Sequence, residues 1–206
     1  MHNALLSSSG ISGSATVDIG DPRCHVSLIA QLGTGHRPRI LAHLQDLSPE
    51  DRYMRFAHSI GDDALRAYVR QIRYGRDAAF GAFDDEGELH GFAHLAFASD
   101  GGPAELGLSV ARCARRQGVG LALLQRAAAH ARNRGQPLLM MVYVPENTAL
   151  ESLARRAGMH IAPDPSEARA YLTLPPATPE SLLREAFGES VAAIDLGFRL
   201  GAAAGR

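Results

Sequence analysis

Val110-Ala111-Arg112-Cys113-Ala114-Arg115-Arg116-Gln117-Gly118-Val119-Gly120-Leu121 decides the fold, because it joins two kinds of periodicity. Before it, Ala104, Leu106, Leu108 and Val110 alternate with Glu105, Gly107 and Ser109, which is strand spacing. After it, Val119, Leu123, Ala127 and Ala131 form a helical stripe, widened by Leu124 and Ala128, with Gly135 placed to stop the helix. The two glycines let the connecting turn bend tightly and let a ligand approach the backbone. Free N–H groups at the helix start and the positive end of its dipole suit a phosphate group, and Arg115 and Arg116 add charge there.

Upstream of this segment the period stays at two. Residues 88–98 place Leu89, Gly91, Ala93, Leu95 and Phe97 on one face and His90, Phe92 and His94 on the other. The turn Asp84–Gly87 links them to a strand at 78–83, so the middle of the chain is an antiparallel meander. Earlier still, three helices are expected at 37–47, 49–57 and 62–73. The second is opened by Ser48 as N-cap, Pro49 at the first helical position and Asp51 at the capping-box position. Residues 24–32 form a first strand.

Downstream, Leu138-Leu139-Met140-Met141-Val142-Tyr143-Val144 is an unbroken apolar run, as in a strand covered on both faces. A helix at 147–157 ends at Gly158, and a strand at 169–174 is stopped by Pro175-Pro176. A last helix runs from Pro179 to about Leu200 with Thr178 as N-cap and Leu183, Phe187, Val191, Ile194 and Phe198 on one stripe. Gly188 and Gly197 weaken it by ~1 kcal/mol each relative to Ala. The organisation is a flexible tail at 1–22, one domain at 23–175 and a helical extension at 176–206. The fold class is α/β with a mixed, mostly antiparallel twisted sheet flanked by helices.

The 206 residues, of which 46% are hydrophobic and 21% charged, suit one globular domain with short extensions. A net charge of −1 excludes wholesale binding to nucleic acid or to an anionic membrane. No apolar run approaches the ~20 residues of a membrane helix, and residues 1–20 lack the basic and apolar regions of a secretory signal. Cys24 and Cys113 form no CxxC and are too few for a disulfide framework, which favours a reducing, cytoplasmic setting.

Three phosphate-binding loops compete for 110–121. A Walker A loop needs Gly-Lys-Ser/Thr, and the chain contains no lysine. A dinucleotide fingerprint needs a small residue where Leu123 stands and a parallel strand before it. The third reading fits: Arg115-Arg116-Gln117-Gly118-Val119-Gly120 resembles the Arg/Gln-x-x-Gly-x-Gly/Ala segment of the GNAT acetyltransferases. The likeness covers residues 24–174. Val142 through Asn147 to Gly158-Met159 is similar to the family's fifth strand, its asparagine-opened helix and a following Gly-Phe, with Met159 in place of Phe. Leu47-Ser48-Pro49 with Arg55-Phe56 resembles a segment of GNAT domains related to bacterial protein-lysine acetyltransferases.

This resemblance implies an N-acetyltransferase that uses acetyl-CoA as cosubstrate and a primary amine of a protein or small molecule as acceptor, with no metal. It implies that Arg115, Arg116, Gln117, Gly118, Val119, Gly120 and Leu121 hold the pyrophosphate of coenzyme A. Leu108, Ser109 and Val110 would supply a backbone donor for the oxyanion, and Asn147 would hold the pantetheine arm or serve as a plain N-cap. Glu105 would be the base that takes the amine proton in a partly dry cleft. The tyrosine acid of many family members falls at Ala154, so it is missing here, and Tyr143 lies on a strand. Arg52 and Arg55 either meet the acceptor or face solvent, the commoner place for charges on a helix. His90 and His94 read as cleft or surface residues, since a metal site would want two further ligands. Cys113 reads as an inert small residue. The missing tyrosine and the extra helix leave room for an acyl-CoA sensor as the alternative, and that helix leaves room for a homodimer.

Overall fold

The computed structural model describes residues 24–204. The tail expected at 1–22 lies outside them. Seven strands and six helices follow in the order β1 (Leu28–Leu32), α1 (Arg37–Asp46), α2 (Pro49–Phe56), α3 (Asp62–Gln71), β2 (Ala78–Phe83), β3 (Leu89–Ala96), β4 (Ala104–Val110), α4 (Val119–Asn133), β5 (Leu138–Tyr143), α5 (Thr148–Arg156), β6 (His160–Ala162), β7 (Ala168–Thr173) and α6 (Pro179–Ala204). The strands form one sheet in the order β1-β2-β3-β4-β5-β7-β6. Every neighbouring pair is antiparallel except β4 and β5, which are parallel and pair only at Ala104↔Leu139 and Glu105↔Met140. Past that point the two strands run on without pairing, which leaves a wedge in the middle of the sheet.

Each face of the sheet carries its own apolar cluster. On one, Phe80, Leu95, Leu106, Leu139 and Met141 pack against Leu123, Leu124 and Ala127 of α4. On the other, Phe83 and Phe92 pack against Ile40 and Leu44 of α1, Leu65 of α3 and Leu196 of α6. The capping chemistry expected at α2 is present: the Ser48 hydroxyl accepts from Asp51 N–H at 3.1 Å and donates to the Asp51 carboxylate at 2.9 Å. Gly135 and Gly158 take positive φ after α4 and α5, as helix stops do.

Several expectations are corrected. Leu89 joins the cluster of Phe83 and Phe92, because the register shifts between Ala82 and Phe83 and turns the strand end over. The run 138–144 is covered unequally on its two faces: Leu139, Met141 and Tyr143 are buried, while Leu138, Met140 and Val142 are half-buried. Strand β6 is too short to show a period in the sequence. Cys24 and Cys113, expected as separate thiols, form a disulfide across 89 positions, with Cα atoms 5.7 Å apart. The pairing depends on the lead-in to β1 meeting the turn after β4, which no spacing rule foretells.

Helix α6 is bound to α4 through charge. Arg126 reaches Glu185 at 2.8 Å and Glu189 at 2.6 Å, and His130 reaches Glu185 at 2.7 Å. Burial pushes the Glu185 carboxyl up, but hydrogen bonds from Arg126, Asn133 and His130 outweigh it and hold it at about 2. Among the described residues no helix is long and apolar enough to cross a membrane.

Candidate active site

The turn after β4 is built to leave backbone N–H groups exposed. Residues Arg112–Ala114 make one tight 3-10 turn, Arg116 takes φ +63° and Gly118 φ +84°. Gly118 then caps α4 with no side chain over its first N–H groups, unlike α2, α5 and α6, whose starts are covered by Ser48, Asn147 and Thr178. Arg116, Gln117 and Gly118 are exposed, and Gln117 donates to the Cys113 carbonyl at 3.1 Å. An uncapped helix start with two left-handed residues before it is a concave nest of donors that fits a diphosphate. A Cβ at Gly120 would make only ordinary contact with Leu153 of α5, at 3.5 Å.

The side chain of Arg115 does not point freely at this nest. It pairs with Asp51 of α2 at 2.8 Å and donates to the Val110 carbonyl at 3.1 Å. Asn147 acts at the other end of the same helix. Its amide oxygen accepts from Leu150 N–H at 3.0 Å, capping α5, and its NH2 donates to the Met54 carbonyl at 3.2 Å. Helix α2 is thus clamped at both ends by residues expected to hold the cofactor. Its position over the wedge between β4 and β5 follows from these two clamps.

Glu105 stands where β4 and β5 part, opposite Met140, and is exposed rather than set in a dry cleft. Two positions further along the same face, Gly107 lies under the Arg55 guanidinium, and a Cβ at 107 would overlap it. Residues i and i+2 of a strand are ~7 Å apart, so Arg55 and Glu105 share one side of the wedge. Arg55 donates to the Tyr68 hydroxyl at 3.0 Å and stacks over the Phe56 ring at 4.8 Å, while its buried Nε has no partner. Arg52, in contrast, is spent on the fold: it bonds the Leu47 and Gln45 carbonyls and pairs with Asp62 at 2.8 Å.

A polar chain runs inward from Arg55. Tyr68 meets His94 Nδ1 at 2.9 Å, and His94 Nε2 lies 3.6 Å from Asp77. Burial, helped by the nearby Arg55 charge, pushes His94 down to about 4, so it is neutral at pH 7. Burial pushes the Tyr68 hydroxyl up, so it stays protonated. His43 of α1 is also buried and pushed down to about 4, and its Nε2 meets the Ser109 hydroxyl at 2.9 Å. The Ser109 side chain therefore faces α1, and what it offers a ligand in the wedge is backbone. Leu108 and Val110 turn their side chains to the opposite cluster.

His43, Tyr68 and the disulfide were missed in the sequence, since each matters through a partner more than ten positions away. The histidines of β3 were read as cleft or surface residues, and both are partly buried and bonded. His90 meets Asp84 at 2.6 Å and lies 3.8 Å from the Cys113 sulfur. Cys24, His90 and Cys113 are close enough to share a metal ion, but the disulfide uses both sulfurs. Tyr143 is buried with Leu139 and Met141, and Ala154 is buried in the same cluster, so neither stands in the wedge.

Comparison with known proteins agrees with this geometry. The model of the acetyltransferase (GNAT) family matches residues 41–159, more than half of the chain. Among solved structures, the GNAT domain of S. lividans PAT superposes with TM-score 0.61 at 19% identity, covering 71% of this chain and 89% of that one. The ribosomal alpha-N-protein acetyltransferase RimL, solved with coenzyme A, gives 0.57 at 14% identity, covering 73% and 97%. A chimera of spermidine N-acetyltransferase SpeG from Vibrio cholerae gives 0.55 at 16% identity, covering 71% and 96%. At these identities the structures speak for the fold.

Proposed function

Because the chain belongs to the GNAT acetyltransferase family and so uses acetyl-CoA, we propose that it moves the acetyl group to a primary amine, with Glu105 as the base. The acceptor amine belongs to a protein lysine or to a small molecule; the solved structures that superpose include one named for the alpha-amine of a protein and one named for spermidine. The observation that carries the reading is the wedge between β4 and β5, flanked by the donor nest at 116–121 and by Glu105.

In this reading the N–H groups from Arg116 to Leu121 hold the pyrophosphate, and the backbone of Leu108, Ser109 and Val110 lies along the pantetheine arm. Asn147 and Arg115 act by fixing α2 as the roof of the wedge. A lysine-type amine has a pKa near ~10.4, so most of it is protonated in neutral water and a base is needed. Glu105 is exposed and can take that proton directly or through water. The Arg55 charge on the same face disfavours a second cation, so it favours the neutral amine that attacks. Donors already in place along β4 stabilise the oxyanion. With Ala154 in place of an acid, the thiol leaves as thiolate, which a pKa near ~8.5 for an alkyl thiol allows. The site is built from one chain, so the chemistry does not demand a second copy.

The test is coenzyme A release measured with a panel of amines and lysine peptides. The expected result is turnover with one class of acceptor, and a fall of about 100-fold or more in Glu105→Gln at neutral pH with unchanged coenzyme A affinity. Binding of coenzyme A without turnover on any amine would favour an acyl-CoA sensor. Unchanged turnover in Glu105→Gln would remove its role as base.

A further inference from the structure

Helix α6 is held to the body by one face only. Leu196 is buried against the sheet, Glu185 and Glu189 pair with Arg126, and Arg199 pairs with Asp85. The opposite face exposes Leu183 at 72%, Phe187 at 74%, Val191 at 51%, Ile194 at 62% and Phe198 at 76%. Five large apolar residues in one stripe on a 26-residue helix are not scattered surface residues. The order of residues along the stripe identifies what covers it. Around the midpoint between Ser190 and Val191, Phe187 mirrors Ile194 and Leu183 mirrors Phe198. The two long polar residues beside the stripe mirror glycines: Arg184 falls opposite Gly197, and Glu180 opposite Gly201.

These glycines have no reason within the chain. A Cβ at Gly188, Gly197 or Gly201 would meet nothing within 4 Å, and none of the three has positive φ. Each weakens the helix by ~1 kcal/mol relative to Ala. A close-approaching helix that brings Glu180 to its mirrored position accounts for Gly201, which continues the stripe past Phe198.

We infer that α6 is the interface of a two-fold homodimer, in which the helices of two copies lie antiparallel and cross at Ser190–Val191. A two-fold interface must be self-complementary, and four of the five stripe residues meet another stripe residue as their mirror, with Val191 beside the axis facing Ser190. The five stripe residues expose on the order of 600 Å² per copy, most of the ~800 Å² per partner of a standard interface. The contact is a single helix pair with aromatic anchors on either side of the axis, Phe187 against Ile194 and Leu183 against Phe198.

Sedimentation or light scattering on the full chain tests this. Twice the 22.0 kDa chain mass is expected for wild type at micromolar concentration. Phe187→Asp with Ile194→Asp should give a monomer with unchanged circular dichroism and unchanged coenzyme A affinity, because both side chains are exposed and away from the wedge. Orientation is read from cysteine cross-links. Val191→Cys should link to itself, and Leu183→Cys should link to Phe198→Cys but not to another Leu183→Cys. A monomeric wild type, a double variant that stays dimeric, or a Leu183→Cys self-link would each overturn the inference. A wild-type monomer whose stripe binds a hydrophobic dye only after removal of residues 1–22 would assign the face to the chain's own tail instead.

Discussion

A glycine at φ +84° with open space around it separates two costs that usually come together. At Gly118 a methyl group meets nothing, so Gly118→Ala loses only the backbone preference, about 1 kcal/mol of stability in urea unfolding. It also tilts the N–H groups of the nest, so coenzyme A affinity measured by calorimetry should fall about tenfold, the equivalent of one misdirected hydrogen bond. Equal affinity in the variant would mean that the nest is not what holds the ligand. Gly107 presents the reverse case. Its φ is ordinary, and a Cβ there collides with the Arg55 guanidinium, the flexible end of a long side chain. Gly107→Ala should leave stability within about 1 kcal/mol, since Arg55 can move aside. It should raise KM for the acceptor with coenzyme A affinity unchanged, and an unchanged KM would put Arg55 outside the acceptor's path.

At the scale of elements, the clamps on α2 can be taken apart one atom at a time. Asn147→Ala removes both the cap of α5 and the bond to Met54, and should cost about 1–2 kcal/mol. Asn147→Asp keeps the cap acceptor and loses the NH2. It should recover most of the stability in urea unfolding while acceptor KM stays raised, because the roof of the wedge is loosened. Recovery of both would show that the bond to Met54 does nothing for the site. The same elements explain what was legible in the sequence. Helices α2, α4 and α5 announce themselves through Ser48-Pro49, Gly118, Asn147 and Gly158, because caps and stops are local chemistry. Strand β4 was read to the residue, since strict alternation from Ala104 to Val110 has one interpretation. What escaped was made by tertiary contact: the register shift that turns Leu89, the bond from His43 to Ser109, and the pairing of Cys24 with Cys113. The grip of Arg115 and Asn147 on α2 escaped as well, because each bond joins segments far apart in the sequence.

For the molecule as a whole, two buried neutral histidines set a stability limit on the acid side. His43 and His94 titrate near 6.5 unfolded and about 4 folded, so between these values the unfolded chain holds the extra protons. Stability is therefore full above about pH 6.5 and is lost as pH falls toward 4, by up to about 3 kcal/mol for each histidine. Urea unfolding at pH 7 and pH 5 should show this loss, and His94→Gln should shrink it; a flat profile would mean that these side chains are wetter than the fold implies. Glu185, held at about 2, adds a second loss only below about pH 4.5, when α6 begins to release α4. The fold brings all of this to bear on one place, a helix start left uncapped beside a parting of two strands. Backbone amide NMR of the labelled 22.0 kDa chain during a titration with coenzyme A tests that place most directly. The largest shifts are expected at Arg116 through Leu121, with smaller ones along Leu108–Val110; saturation with coenzyme A that leaves the 116–121 amides unmoved would contradict the account.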